Sequence, residues 1–231
     1  MKSIAAEISD IQSFVDGLTF TSPLSDASDK KTFAAAYKYV HALLIWEAAL
    51  SNTITDKPNI DAKLHYQELL SDLAGSQLLL LGGLYKPARM MLRSSIENML
   101  RVCAFEQGLY PLSKKFTYEM ISLVKTSPLF ANGTFMSPDV NAMVRSYTNL
   151  CAYVHAAAKT HMALRIPLVS VASYGRDEFR AVTTELKTLA YHYNRIMFAL
   201  YARHLDRVDY NHSDYIRDSL PKSIKSKFSA T

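Results

Sequence analysis

Apolar residues recur along this chain at three- and four-residue intervals, and few stretches alternate apolar with polar, so the pattern predicts helices rather than strands. Residues 3–17 read as a short amphipathic helix on Ile4, Ile8, Ile11, Phe14 and Val15, closed by Gly17. After a loop, Ser25 or Ser28 is placed to cap a helix running to about Thr53, with Asp26 and Asp29 favourable at its positive end. A third helix starts at Pro58 or Asn59 and carries Leu64, Leu69, Leu70, Leu73 and Leu78 to Leu81 before Gly82 and Gly83; its leucine density predicts a place in the middle of a bundle.

Lys86 and Pro87 suit the first turn of the next helix, because proline lacks only an N–H that would be unpaired there. That helix ends at Gln107 and Gly108. Its apolar stripe is Ala88, Leu92, Ile96, Met99 and Cys103, and a neighbouring stripe carries Arg89, Arg93 and Glu97 at four-residue steps. Residues 111–125 give a shorter helix with Phe116, Met120, Ile121 and Val124 inward. Ser137, Pro138 and Asp139 open another, to about Met162, and a last long one spans about Asp177 to Leu205. The expected architecture is all-α, one bundle of six to seven helices over residues 1–207, followed by a polar, basic, loosely held tail over 208–231.

Composition narrows this little. With 49% hydrophobic and 20% charged residues, neither wholesale disorder nor a membrane protein is indicated, and no apolar run approaches the roughly 18 residues that span a bilayer. Glu7 and Asp10 interrupt what would be a signal peptide, so the expected location is cytoplasmic. Net charge is +5, compatible with a polyanionic partner and equally with an ordinary basic protein. Cys103 and Cys151 lie in apolar helical patterns and read as free thiols, with no metal-ligand spacing. His41, His65, His161, His192 and His204 show no spacing with carboxylates that suggests a metal site. Gly82 and Gly83 lack the continuation of a phosphate-binding loop, so no cofactor is expected.

The segment GGLYKPARMMLRSSIE, joined some fifty residues downstream to YTNLCAYVHA, resembles the HEPN superfamily of all-α domains over roughly residues 64–162. The resemblance implies a homodimeric bundle, often a metal-independent endoribonuclease of toxin–antitoxin or phage-defence systems. An imidazole there handles the proton of a ribose 2′-hydroxyl or of the leaving oxygen, and a guanidinium stabilises charge on phosphorus. Carried onto matching positions, it implies Arg93, Glu97 and His155 as catalytic residues, with Arg89, Arg145, Tyr147 and Tyr153 as binding contacts.

The nuclease pattern, an Arg followed after four to six residues by His, is not met by Arg145 and His155. They are ten positions apart, about 15 Å along one helix. Arg207 and His212 match it literally and form a second candidate pair, although one such match is expected by chance in a chain of this composition. The leading expectation is a HEPN-like defence or toxin protein acting on RNA, with Arg, Glu and His in one pocket. The alternative is a catalytically silent helical module that binds its own copy, a protein partner or an antitoxin. A small-ligand bundle lined by Trp46 and tyrosines is a third reading that no feature raises.

Overall fold

The structure is a computed structural model. It describes residues 13, 23–52, 60–109, 116–155, 158 and 172–221. Among them every regular element is helical. They are α1 (Ala27–Asn52), α2 (Ile60–Leu81), α3 (Tyr85–Glu106), α4 (Thr117–Val124), α5 (Ser137–Val154), α6 (Arg176–Tyr201) and α7 (Tyr210–Asp218), with short 3-10 turns at Pro23–Ser25 and Ala202–Arg207. The all-α bundle read from the periodicity is therefore what the chain forms. The helix expected over residues 3–17 lies outside the described residues apart from Ser13.

The central element is α3. It packs against α2, α4, α5 and α6, and its stripe of Ala88, Leu92, Ile96, Met99 and Cys103 is fully buried. The pair α2 and α3 is antiparallel, since Met91 meets Gly75 while His65 meets Phe105 at the other end. In contrast α1 and α6 run parallel: Asp29 pairs with Arg180, Tyr39 with Asn194 and Tyr191, and Trp46 lies against Tyr201. The third partner, α5, runs antiparallel to α3 and also contacts α6.

Two glycines end helices in the same way. Leu84 N–H donates to Leu79 O (2.8 Å) and Gly83 N–H to Leu80 O (3.1 Å), and Leu109 and Gly108 repeat this on Ala104 and Phe105. Such a C-terminal motif needs a left-handed residue, which glycine supplies at Gly83 (φ 72°) and Gly108 (φ 68°). Gly83 has a second constraint, because a Cβ there would come within 2.6 Å of Ser173 O.

Several local expectations are corrected. Asp26, not Ser25 or Ser28, caps α1, accepting from the N–H groups of Ser28 (2.9 Å) and Asp29 (3.0 Å). Phe116 points outward, 59% exposed, because its backbone N–H is drawn to the Glu119 carboxylate and its ring stacks on Tyr118. The leucine-rich α2 is not central: Leu69, Leu73 and Leu80 are buried, but Leu64 and Leu78 face solvent. The helix expected to reach Met162 stops at Val154, with His155 as its cap. Residues 208–221 are no loose tail, since α7 packs on α1 and buries Ile216, with Val208 and Leu220 also buried. The bundle thus extends past residue 207, and residues 222–231 lie outside the described part.

Asp29, fully buried, ties the entry of α6 to the start of α1. It accepts from the Tyr174 hydroxyl and from Arg180 Nε (2.6 Å), and Arg176 Nε stands 3.6 Å away. The Tyr174 hydrogen bond above all, then Arg180, holds its carboxyl below the usual carboxylate range against the opposing effect of burial.

Gly83→Ala is expected to lose about 2–4 kcal/mol in urea denaturation, combining backbone strain with a clash. Gly108→Ala, which meets nothing within 4 Å, loses the strain contribution alone, about 1–2 kcal/mol. Asp29→Asn lowers the melting temperature at neutral pH. Stability from a depressed carboxyl is complete above its unfolded value of about 3.9 and vanishes as pH falls below it, so the gap between wild type and variant closes in acid.

Candidate functional site

The stripe Arg89, Arg93 and Glu97 on α3 faces α5, not solvent. Arg89 is buried: its Nε donates to Glu185 on α6 (3.0 Å) and its guanidinium lies 3.9 Å from the Tyr153 ring centroid. Burial pushes the Glu185 carboxyl up and Arg89 pulls it back.

One turn on, Arg93 is half-buried and closely engaged. Its Nε donates to Cys151 Sγ (3.2 Å), and its Nη2 reaches the Tyr147 hydroxyl (2.7 Å) and pairs with Glu97 Oε1 (3.0 Å). The Tyr147 hydroxyl is 2.9 Å from Thr117 Oγ1, which donates to Glu97 Oε1 (3.1 Å). These distances close a ring in which Arg93 donates to Tyr147, Tyr147 to Thr117 and Thr117 to Glu97, the ion pair completing it. Burial, opposed by the hydrogen bonds with Thr117 and Arg93, raises the Tyr147 phenol, so it stays neutral at physiological pH.

The expected residues therefore divide. Arg93, Glu97 and Tyr147 come together, and Arg89 and Tyr153 form a second contact on the same seam. His155 does not join them: it is exposed at the cap of α5, one turn beyond Cys151, and takes no part in the ring. Arg145 is exposed as well. Arg207 ends the 3-10 turn, whereas His212 is exposed within α7, with Asp209 capping that helix between them. Thr117 and the Cys151 thiol were not anticipated. Nothing local marks them, because they meet α3 only after the bundle closes.

A second cluster was also missed. Asp139, buried in the first turn of α5, accepts from Arg195 Nε (2.6 Å) and Nη2 (3.0 Å), and its Oδ1 lies 2.7 Å from His192 Nδ1. The rings of Tyr191 and Phe135 flank the Arg195 guanidinium at 5.7 and 5.8 Å. Sequence spacing gave His192 no carboxylate, since its partner is 53 positions away. Among the described residues, no three His, Cys, Asp or Glu side chains come together as a metal site. No described helix is long and apolar enough to cross a membrane.

No protein-family model, curated protein or solved structure matches this chain.

Tyr147→Phe, which removes a hydroxyl shared by Arg93, Thr117 and Glu97, is expected to cost about 1–2 kcal/mol in equilibrium unfolding. His155→Ala, at an exposed position, changes stability by less than about 0.5 kcal/mol. Equal losses in both would place His155 inside the ring.

Proposed function

We propose that this chain is a HEPN-like helical module, without catalysis at the seam between α3 and α5, that works by associating with its own copy or with a protein partner in a defence or regulatory complex. The carrying observation is the closed ring around Arg93: the Nε and Nη2 of its guanidinium are engaged by Cys151, Tyr147 and Glu97, and the only imidazole offered by the resemblance, His155, is outside it. A phosphate entering there would displace hydrogen bonds worth about 0.5–1.5 kcal/mol each while facing the Glu97 carboxylate. Arg89 is likewise neutralised, by Glu185. The seam reads as a stitch between helices.

A second reading, a metal-independent endoribonuclease acting on RNA, draws on one specific observation. An imidazole and a guanidinium, the pair such chemistry needs, share the buried Asp139 carboxylate.

The test is purified protein incubated with total RNA in chelator, beside His155→Ala and His192→Ala, with the mass of the protein followed by light scattering. Intact RNA with every protein, and a mass above that of one chain or capture of a partner from the native host, is the expected result. RNA cleavage by wild type that disappears in either variant overturns the silent module and moves the chemistry to that histidine.

A further inference from the structure

Asn132 is the one asparagine of the chain that is followed by glycine, and the two residues form the tip of a turn between α4 and α5. Thr134 N–H donates to Ala131 O (3.1 Å), which sets Asn132 and Gly133 at the two central positions. The Thr134 hydroxyl reaches Leu129 O (2.9 Å) and Ala131 O (2.8 Å) and braces the turn from one side. Phe130 before the tip and Met136 after it are both buried in the core, while Asn132 and Gly133 are exposed. The tip is thus held out in water by a base that does not move. Among the described residues, neither the Asn132 carboxamide nor the Gly133 N–H makes a hydrogen bond. Nothing stands within 4 Å of the place that a Cβ on Gly133 would take. Asparagines elsewhere are held: Asn98 donates to Asp72, Asn141 to Ser137 Oγ, and Asn194 to Tyr39 O and Ala190 O. Each of these lies inside a helix, where the following N–H is engaged, and precedes a residue that carries a side chain.

We infer that Asn132 is a site of spontaneous deamidation in the folded protein, with the Gly133 main-chain nitrogen as nucleophile and water as the second reactant. Hydroxide takes the Gly133 N–H proton, and the nitrogen bonds to the side-chain carbonyl carbon of Asn132, a neighbour already held one residue away. The bond from that carbon to the amide nitrogen breaks. Ammonia leaves, its third hydrogen coming from water with hydroxide regenerated, and a five-membered imide remains. One water molecule then opens the imide, and no electrons change hands. Opening at the side-chain carbonyl leaves an aspartyl residue at position 132; opening at the main-chain carbonyl leaves an isoaspartyl link, with the backbone one carbon longer. Both products carry a carboxylate where the chain had a neutral amide. Glycine after the asparagine matters because a Cβ beside the attacking nitrogen would narrow its approach. The isoaspartyl product also lengthens the path between Ala131 and Thr134, so it acts against the hydrogen bond that closes the turn.

The test incubates the folded protein in mildly alkaline buffer made with oxygen-18 water, beside its free tryptic peptide cut after Lys125 and Arg145, which carries Asn132 and Asn141 together. Peptide mass spectrometry locates the label and separates aspartyl from isoaspartyl products. Asn132 is expected to convert in the folded protein within about tenfold of its rate in the peptide, since the tip is open without any unfolding. The rate is expected to rise with pH, and Asn141 to stay intact in the folded protein. Gly133→Ala is expected to slow conversion by about tenfold or more, and Asn132→Gln, whose ring would need six members, to abolish it. A site that reacted only on unfolding would lag the peptide by about a thousandfold or more. Protection of Asn132 beyond about tenfold in the folded protein therefore overturns the inference. Label that persists in Asn132→Gln at the wild-type rate overturns it as well, by placing the chemistry at another residue.

Discussion

A helix covered on several sides has to satisfy its polar side chains inside the protein, and α3 is in that position. A buried polar group without a partner costs about 1–3 kcal/mol, and a buried charge more. Five polar residues of α3 accordingly reach a residue on another helix. Arg89 requires Glu185 on α6, Arg93 and Glu97 require Tyr147 on α5 and Thr117 on α4, Ser95 meets Tyr193 on α6, and Asn98 meets Asp72 and His65 on α2. Every helix packed on α3 is therefore held by a directional bond as well as by apolar contact, and its register is fixed.

The same constraint explains what the sequence shows and what it hides. Helix periodicity is local, so the existence of α1 to α6 and the rough limits of α1, α2, α3 and α6 follow from it, and the apolar stripe of α3 is legible residue by residue. Facing is not local. The stripe Arg89, Arg93 and Glu97 looks like a solvated edge until α5 covers it, and the partners lie 96 and 58 positions away for Arg89 and Arg93. In α2 leucines occur on two faces, so counting them places the helix in the centre although only one face is inward. Nothing in an alanine-rich continuation announces that α5 stops at Val154, and that stop leaves His155 at a helix end. The Asp139, His192 and Arg195 cluster joins an N-terminal turn to the middle of a distant helix, where spacing carries no information.

Charge is distributed in keeping with this. The buried and half-buried cations Arg89, Arg93 and Arg195 each have a carboxylate within hydrogen-bonding or ion-pair distance. The excess positive charge sits instead on exposed side chains such as Lys30, Lys31, Lys38, Arg145 and Lys187. With the guanidinium groups of Arg89, Arg93 and Arg195 paired in this way, these cations have little attraction left for phosphate, whatever the net charge implies about the surface.

The exposure of one face of α2 is a consequence of how firmly the opposite face is held. Asp72 is buried between α2 and α3; burial pushes its carboxyl up, against hydrogen bonds from Ser94 and Asn98. Asn98 also meets His65, two turns earlier on α2, at 3.1 Å. Two directional contacts along one helix set its rotation, and a slip of one residue would turn it by about 100° and strand a buried carboxylate. Leu64 and Leu78 therefore cannot rotate inward to escape water. Their exposure follows from the rotation that the polar line imposes, and among the described residues nothing covers them.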